Sequence, residues 1–164
     1  MANIGYVGLG VMGGQVVNRL MDKGHTVTGN TRTRSKADWL IERGMKWADS
    51  PRAVCEAADV TFTMVTDSNA LDEIADGADG LLSGLGPNKI LIDMSTVDPG
   101  ASRALAARVR AKGADMVDAP VSGSVSTLQE GKLLLIVGCR SETFERIKPI
   151  LMDIGPKVTR VGDN

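Results

Sequence analysis

This chain has few residues that could bind a metal or form a disulfide. It contains two cysteines, Cys55 and Cys139, which lie far apart and have no partnered spacing. Neither a disulfide framework nor a zinc site is therefore indicated. The single histidine, His25, cannot build a metal site alone, and its position in a predicted helix-to-strand turn favours a structural role.

The chain also lacks an excess of positive or negative residues and lacks long apolar stretches. The net charge is −1 and no block of like charges occurs, so nothing in the composition favours a nucleic-acid partner. No apolar stretch is long enough to span a bilayer, and the first predicted strand begins without a charged and apolar leader. We therefore expect a cytoplasmic protein with reduced thiols and no membrane partner.

Short apolar runs alternate with helical patterns along the whole chain. The predicted strands are Ile4–Val7, Thr26–Gly29, Lys46–Ala48, Val60–Val65, Ile90–Met94, Asp115–Asp118, Leu133–Val137 and Lys157–Val161. The predicted helices are Val11–Lys23, Ser35–Arg43, one starting at Ser50-Pro51, one starting at Ser68, Pro99–Lys112, and Ser141–Met152 with Ser141 as its cap. We interpret Ala75–Gly86 as a turn-rich connection.

This alternation predicts an α/β fold of the Rossmann type. Its sheet is expected to be doubly wound and mainly parallel, with helices on both faces. Residues 1–164 are expected to form one domain. Ligands of such sheets bind at the carboxyl ends of the strands.

A glycine motif joins the first predicted strand to the first predicted helix. Gly8, Gly10 and Gly13 have the spacing G-x-G-x-x-G that is typical of dinucleotide binding. Gly8 allows the tight turn, Gly10 lets a pyrophosphate approach the backbone, and Gly13 lets the helix pack on the strand. The N–H groups and positive dipole end of the helix would then face the phosphates. The alternative is a tight turn that binds no nucleotide.

The residues after the second predicted strand favour NADP over NAD. A site for NAD usually has an Asp or Glu there for the ribose hydroxyls, and the segment from Thr28 to Lys36 has none. Arg32 is the first charged residue, and a guanidinium fits a 2′-phosphate and stacks on a flat ring. A solvated basic loop is the alternative, and such sites can also accept NAD.

A second motif follows the strand that ends at Asp118. The turn Ser122-Gly123-Ser124 offers consecutive N–H groups and two hydroxyls, which together could hold a carboxylate. Ser-Gly turns are common, so the residues alone leave an ordinary turn as an equal alternative.

Together, four motifs resemble the β-hydroxyacid dehydrogenase family. They are Gly8 to Gly13, Thr31 to Thr33, Asp93 to Thr96 and Asp118 to Gly123, in family order and spacing over essentially the whole chain. That family includes 3-hydroxyisobutyrate dehydrogenases, tartronate semialdehyde (glyoxylate) reductases and, more distantly, 6-phosphogluconate dehydrogenase. The resemblance implies an NADP-dependent oxidoreductase of small β-hydroxyacids or their semialdehydes.

The resemblance also implies a role for each matching position. The pyrophosphate would be cradled by Gly8, Leu9, Gly10, Val11 and Met12, with Gly13 also in the cofactor site. Thr31, Arg32 and Thr33 match the cofactor-binding Asn-Arg-Thr of the family, with Thr31 in place of Asn. The segment of Val65, Thr66 and Asp67 would run along the cofactor, past its adenosine ribose and its nicotinamide side. Ser95 and Thr96 would lie beside the nicotinamide. The substrate carboxylate would be bound by Ser122, Gly123 and Ser124. Alternatively, Ser95 and Thr96 cap the turn before Pro99, and Asp67 or Ser68 caps a helix.

The chain departs from the family pattern in two places. The family loop usually reads Ser-Gly-Gly, then two variable residues, then Gly-Ala, where this chain has Ser124, Thr127 and Leu128. Larger side chains there could tighten the acid pocket or change which substrate fits. The family's proton-transferring lysine stands in a Gly-x-x-Lys-x-x-Asn pattern after a segment like Val161-Gly162. No lysine of this chain, including Lys132, Lys148 and Lys157, stands in that pattern before the end at Asn164.

The family's second, helical domain also lies beyond Asn164, and this domain makes the family's dimers. We therefore expect a homo-oligomer of a full-length protein, and a 164-residue chain that binds cofactor with little or no turnover. Two other functions stay open. One is a non-catalytic nucleotide-binding or oligomerising module, which a stop codon after Asn164 would favour. The other is the nucleotide domain of an imine reductase, whose family lacks the Asp118 to Gly123 loop.

Overall fold

Nine strands form one sheet in the computed structural model, which describes residues 1–164. The strands are β1 (Asn3–Val7), β2 (Thr26–Asn30), β3 (Lys46–Trp47), β4 (Val60–Thr63), β5 (Ile90–Asp93), β6 (Asp115–Asp118), β7 (Val121–Ser122), β8 (Leu134–Gly138) and β9 (Lys157–Gly162). The helices are α1 (Val11–Asp22), α2 (Asp38–Glu42), α3 (Pro51–Ala57), α4 (Ser68–Ala75), α5 (Leu81–Gly84), α6 (Pro99–Ala111), α7 (Val125–Gln129) and α8 (Ser141–Ile154), with a 3-10 helix at Arg34–Ala37.

The first six strands confirm the predicted parallel sheet. They are ordered β3-β2-β1-β4-β5-β6, and every neighbouring pair is parallel. The strand order reverses beside β1, so this is the switch point where open α/β sheets bind ligands. The glycine motif leaves the sheet there.

Apolar side chains fill both faces of the sheet. Alternate residues of β5 show this, since Ile90 and Ile92 belong to one buried cluster and Leu91 to the other. The first cluster includes residues of α1, α2, α7 and α8, and the second includes residues of α3, α4, α5 and α6. Helices therefore cover both faces, as the sequence predicts. No helix combines the length and the apolar character needed to cross a membrane.

The far end of the sheet contains an antiparallel ladder. Asp118 of β6 lies opposite Gly138 of β8, and Val121 of β7 lies opposite Leu135, so the register is the same before and after the interruption. Pro120 falls in the interruption: its carbonyl oxygen accepts a 3.1 Å hydrogen bond from the Ile136 amide, and its lack of an N–H leaves the reciprocal bond unmade. β9 then pairs in parallel with β8.

Five features differ from the sequence predictions. The predicted helix Ser35–Arg43 is a 3-10 helix at Arg34–Ala37 followed by α2. The segment Ala75–Gly86 contains α5, and the loop after Asp118 contains β7 and α7. The predicted cap at Ser141 is wrong, because Arg140 is the N-cap residue of α8 and no side chain caps that helix. The first turn of α8 still contains an acidic residue, Glu142, whose negative charge interacts favourably with the positive end of the helix dipole.

His25 has the structural role that its position indicates. Its Nδ1 accepts a hydrogen bond of 3.2 Å from the Ala2 amide, and its Nε2 lies 2.9 Å from Oδ2 of Asp153. Arg19 donates a further hydrogen bond of 2.9 Å to the carbonyl oxygen of Asp153. His25 therefore joins the start of the chain to the end of α8.

Replacement of His25 by alanine is expected to lower the free energy of unfolding by about 1–3 kcal/mol, because a half-buried network loses its central partner. Urea denaturation followed by circular dichroism measures this. Arg43→Ala is the control, since it removes only an exposed ion pair with Asp22 and should cost less than about 1 kcal/mol. Equal losses in the two variants would contradict a specific role for His25.

Candidate functional site

The glycine turn is built by close contacts with two other strands. Gly8 has φ +100°, in the left-handed region that favours glycine, and its N–H donates a 3.0 Å hydrogen bond to the carbonyl oxygen of Asn30. A Cβ atom at Gly8 would collide with the carbonyl oxygen of Met64, and one at Gly13 would collide with that of Gly8. The turn therefore allows only glycine at these two positions.

The start of α1 is open. Gly10 is its N-cap residue in extended conformation, and no side chain accepts a hydrogen bond from the first turn. A Cβ atom at Gly10 would meet no atom within 4 Å. The unpaired N–H groups and the dipole of α1 thus form the kind of helix start at which anions bind.

The side chains of Leu9, Val11 and Met12, within the motif, differ in how much they are exposed. Leu9 is only 2% exposed and its side chain belongs to the core, while Met12 packs partly buried against the same core. Only the main chain of Leu9 is available to a ligand, whereas the Met12 side chain is partly exposed. The side chain of Val11 is 82% exposed at the start of the helix.

A cavity of about 470 Å³ adjoins this turn. It is lined by seven of the residues that the sequence predicts for the cofactor: Gly8, Gly10, Thr31, Arg32, Thr33, Val65 and Thr66. Lys36 also lines it, on the same side as Arg32. Neighbouring Arg34 lies instead over the ring of Trp47, 5.3 Å from its centroid.

The opposite wall of the cavity comes from residues that the sequence analysis did not single out. They include Pro51, Ala70 and Ile74, and three carboxylates, Glu73, Asp76 and Asp79. No acid lies between the end of β2 and Lys36, but the fold brings these acids from α4 and the segment after it. The spacing of Ala70, Glu73 and Ile74 on α4 is the one signal that places them on a common face. Asp76 forms an ion pair with Arg108, which reduces the negative charge of this wall.

The segment after β4 combines cavity lining with helix capping. Oδ1 of Asp67 accepts a 2.9 Å hydrogen bond from the Ala70 amide and so caps α4. This bond, and a weaker one from the Thr66 hydroxyl, hold the pKa of Asp67 below its usual range. Of the predicted residues here, Val65 and Thr66 line the cavity, whereas Asp67 has the alternative capping role and does not line it.

Ser95 and Thr96 do not cap the turn before Pro99. That role belongs to Asp98, whose Oδ1 accepts hydrogen bonds from the amides of Gly100 and Ala101, at 2.8 and 3.1 Å. Ser95 is buried and bonds to Asp93, while Thr96 is exposed and lies outside the cavity lining.

Two carboxyl groups lie side by side where β5 and β6 end. Asp93 and Asp118 are partners in the parallel register. Burial raises the pKa of Asp93, against the opposing effect of hydrogen bonds from Ser95 and Thr63. Burial, and then the charge of Asp93, raise the pKa of Asp118 from 3.8 to about 6.

Replacement of Asp118 by asparagine is expected to stabilise the protein at pH 7 and to have little effect near pH 4. The folded protein keeps a proton on Asp118 that the unfolded chain releases between about pH 4 and 6, so the stability of the parent falls as pH rises through this window. A shift of this size corresponds to about 1–3 kcal/mol. Urea denaturation of both proteins from pH 4 to pH 7 measures the difference, and a difference that stays constant with pH would contradict the prediction.

The predicted carboxylate loop is folded and lies outside the cavity lining. Ser122 belongs to β7, Gly123 has φ +139°, and Ser124 caps α7 in a capping box with Thr127. All three predicted residues are exposed. The capping spacing of Ser124 and Thr127 is the sequence signal that could have revealed α7. The amide of Ala119 donates a 2.7 Å hydrogen bond to the carbonyl oxygen of Asp93, so this loop begins beside the end of β5.

Comparison with known families gives one match over nearly the whole chain. Residues 3–162 match the family described as the NAD binding domain of 6-phosphogluconate dehydrogenase. A probable 3-hydroxyisobutyrate dehydrogenase-like protein of Arabidopsis thaliana is 38% identical over 93% of this chain and 51% of its own length. A 3-hydroxyisobutyrate dehydrogenase of Pseudomonas aeruginosa is 36% identical over 100% of this chain and 55% of its own length. The chain thus spans about half the length of the curated relatives it matches.

Solved structures share the fold. The structure described as Psf3 in complex with NADP+ and 2-OPP has a TM-score of 0.93 and 36% identity, covering 97% of this chain and 56% of that one. An imine reductase from Myxococcus stipitatus in complex with NADP+ has a TM-score of 0.91, covering 98% of this chain and 55% of that one. Its 22% identity shows a likeness of fold alone.

Proposed function

Because this chain belongs to the family of NAD binding domains of 6-phosphogluconate dehydrogenase, we propose that it binds NADP(H) for an oxidoreductase of small β-hydroxyacids or their semialdehydes. The single observation that carries the proposal is the uncapped start of α1, which opens beside a cavity with Arg32 on its wall. NADP has two phosphate groups that match these features: a pyrophosphate for the start of α1 and a 2′-phosphate for Arg32. NAD has the pyrophosphate but no 2′-phosphate.

The residues present fit such a cofactor. Gly10 leaves space where a side chain would block a pyrophosphate, and no side chain competes for the amides of α1. Arg32, Thr33 and Lys36 provide two cations and a hydroxyl for a 2′-phosphate. When bound, the nicotinamide donates or accepts a hydride.

Chain topology gives the proposed order of contacts along the cofactor. Arg32 follows β2, the glycine turn follows β1, Val65 follows β4, Ser95 follows β5, and Ser122 follows β6. These five strands are neighbours, so their carboxyl ends extend about 19 Å across four strand spacings. In this proposed order Ser122, Gly123 and Ser124 would come at the nicotinamide end, where they would bind the substrate carboxylate.

Two exposed apolar side chains beside β9 support a covered interface in a longer protein. Val161 is 68% exposed and Ile136 is 39% exposed, and both line a cleft whose other lining residues are mostly polar or charged. We propose that this surface is buried by further chain or by a second copy in a homo-oligomer. Sedimentation of a longer protein that contains this chain would test the proposal, and a monomer with this surface open would contradict it.

The 164-residue chain alone is expected to bind NADPH without measurable oxidation of β-hydroxyacids. The alcohol proton needs a positioned acid or base, which contributes about 10²- to 10⁴-fold to such reactions, and no lysine stands in the family pattern. Lys132, within the carboxylate loop, is exposed and pairs with Glu130. The assay follows NADPH formation from NADP+ and a panel of β-hydroxyacids, with a 3-hydroxyisobutyrate dehydrogenase as positive control. Turnover at the rate of the control would refute this expectation.

A further inference from the structure

A buried side-chain link joins the loops that follow β4 and β5. The amide of Val65 donates a 2.9 Å hydrogen bond to Oγ of Ser95. The same hydroxyl donates a 2.6 Å hydrogen bond to Oδ1 of Asp93. Ser95 is 2% exposed and Asp93 is 0% exposed, so solvent does not compete for either bond.

The Asp93 carboxylate accepts hydrogen bonds from β4 and from the segment that follows β5. Its Oδ1 also accepts hydrogen bonds from the Ser95 amide, at 3.2 Å, and from Oγ1 of Thr63, at 2.8 Å. With three donors on one oxygen, the carboxylate fixes the direction in which the Ser95 hydroxyl points. The Ser95 oxygen is thereby oriented to accept from Val65.

This arrangement is costly for stability alone. Oδ2 of Asp93 is buried without a hydrogen-bond partner. A buried carboxyl group with one unsatisfied oxygen disfavours folding relative to an apolar side chain of similar size. A role in the neighbouring site accounts for a group that packing does not require.

We propose that Asp93 is a positioning residue, which acts through Ser95 to hold the Val65 amide and so sets the spacing of the two loops at the nicotinamide end of the cofactor. This inference rests on the proposed function. Val65 lines the cavity, and Thr96 directly follows Ser95, so both ends of the link adjoin the predicted nicotinamide contacts. Arg32 and the adenosine end lie two strands away.

Two ligands separate positioning from general stability. NADPH contains the nicotinamide, whereas adenosine 2′,5′-bisphosphate contains only the adenosine end. In calorimetric titrations of the 164-residue chain, Ser95→Ala is expected to weaken NADPH binding at least ten-fold and bisphosphate binding less than two-fold. Asp93→Asn should shift the ratio of the two dissociation constants in the same direction by three- to ten-fold, because a neutral oxygen accepts more weakly. The double variant should bind NADPH no more weakly than Ser95→Ala, since Asp93 acts only through Ser95.

Thr63→Val is the matched control. It removes another donor of Asp93 and keeps the link from Ser95 to Val65, so it should lower stability and leave the ratio unchanged. Amide exchange in the unsubstituted chain tests the link without any variant, because the Val65 amide should exchange slowly.

Equal weakening of both ligands by Ser95→Ala, or fast exchange at Val65, would overturn the positioning role. A parent chain that binds both ligands, with variants that match it, would overturn this role and leave the proposed function standing. A parent chain that binds neither ligand would overturn both.

Discussion

Replacement of Gly10 by alanine is expected to weaken NADPH binding at least 100-fold, by about 2.7 kcal/mol, while the fold survives. The added methyl group meets no protein atom within 4 Å and enters the space that a pyrophosphate would occupy at the start of α1. The backbone of Gly10 is extended, which alanine adopts without strain. Stability should therefore stay within about 1 kcal/mol of the parent. Calorimetry with NADPH and urea denaturation measure the two quantities.

Gly8→Ala is the informative comparison. At Gly8 the methyl group would collide with the Met64 carbonyl oxygen and would force a positive φ on alanine, so about 3–5 kcal/mol of stability should be lost. A Gly10→Ala variant that binds NADPH like the parent would refute the assignment of the pyrophosphate to this turn. One that loses stability like Gly8→Ala would refute the open space at Gly10.

Replacement of Arg32 by alanine is expected to weaken NADPH binding by about 1.5–3 kcal/mol and to leave NADH binding unchanged. Arg32 lines the cavity and forms no ion pair within the chain, so its guanidinium is free for a phosphate. Of the two cofactors, only NADPH has a phosphate at the 2′ position. The carboxylates of the opposite wall repel this phosphate unless a cation such as Arg32 lies near it. Titration of parent and variant with both cofactors measures the selective loss.

Arg34→Ala is the matched control, since it removes an equal charge two residues away. Arg34 lies over Trp47 and does not line the cavity, so its loss should change the NADPH to NADH ratio less than three-fold. Tighter binding of NADH than of NADPH by the parent chain would contradict the choice of NADP. Equal effects of the two arginine variants would show a general charge effect instead.

Local sequence patterns were sufficient to predict the strands of the parallel part of the sheet. Strands β1 to β6 are apolar runs between helices, and their bounds in the structure fall within two residues of those predicted. The glycine turn was predictable because its steric demands are set by neighbours in sequence, as the close packing of Gly13 on Gly8 shows. The exception is the contact with Met64, which no local pattern reveals.

The segment from Ala119 to Lys132 shows where local patterns fail. Its strand β7 has two residues and exists because β8, more than ten residues later, supplies the pairing partner. Carboxylates on the far wall of the cavity were missed for the same reason, since Glu73 reaches the site through α4 and not through the segment after β2. Asp93 was noticed only as part of a motif, because its partner Thr63 lies thirty residues away.

The contacts of Gly8 have a consequence for a chain that is still being synthesised. Its amide is bound by Asn30, and its backbone packs on the Met64 carbonyl, so the turn needs both flanking strands. A ligand stabilises only molecules that already contain its site. A nascent chain of 50 residues carries the whole glycine motif but lacks Met64. We therefore expect cofactor binding to begin only after β4 has left the ribosome, so that the cofactor stabilises chains that have completed strands β1 to β4.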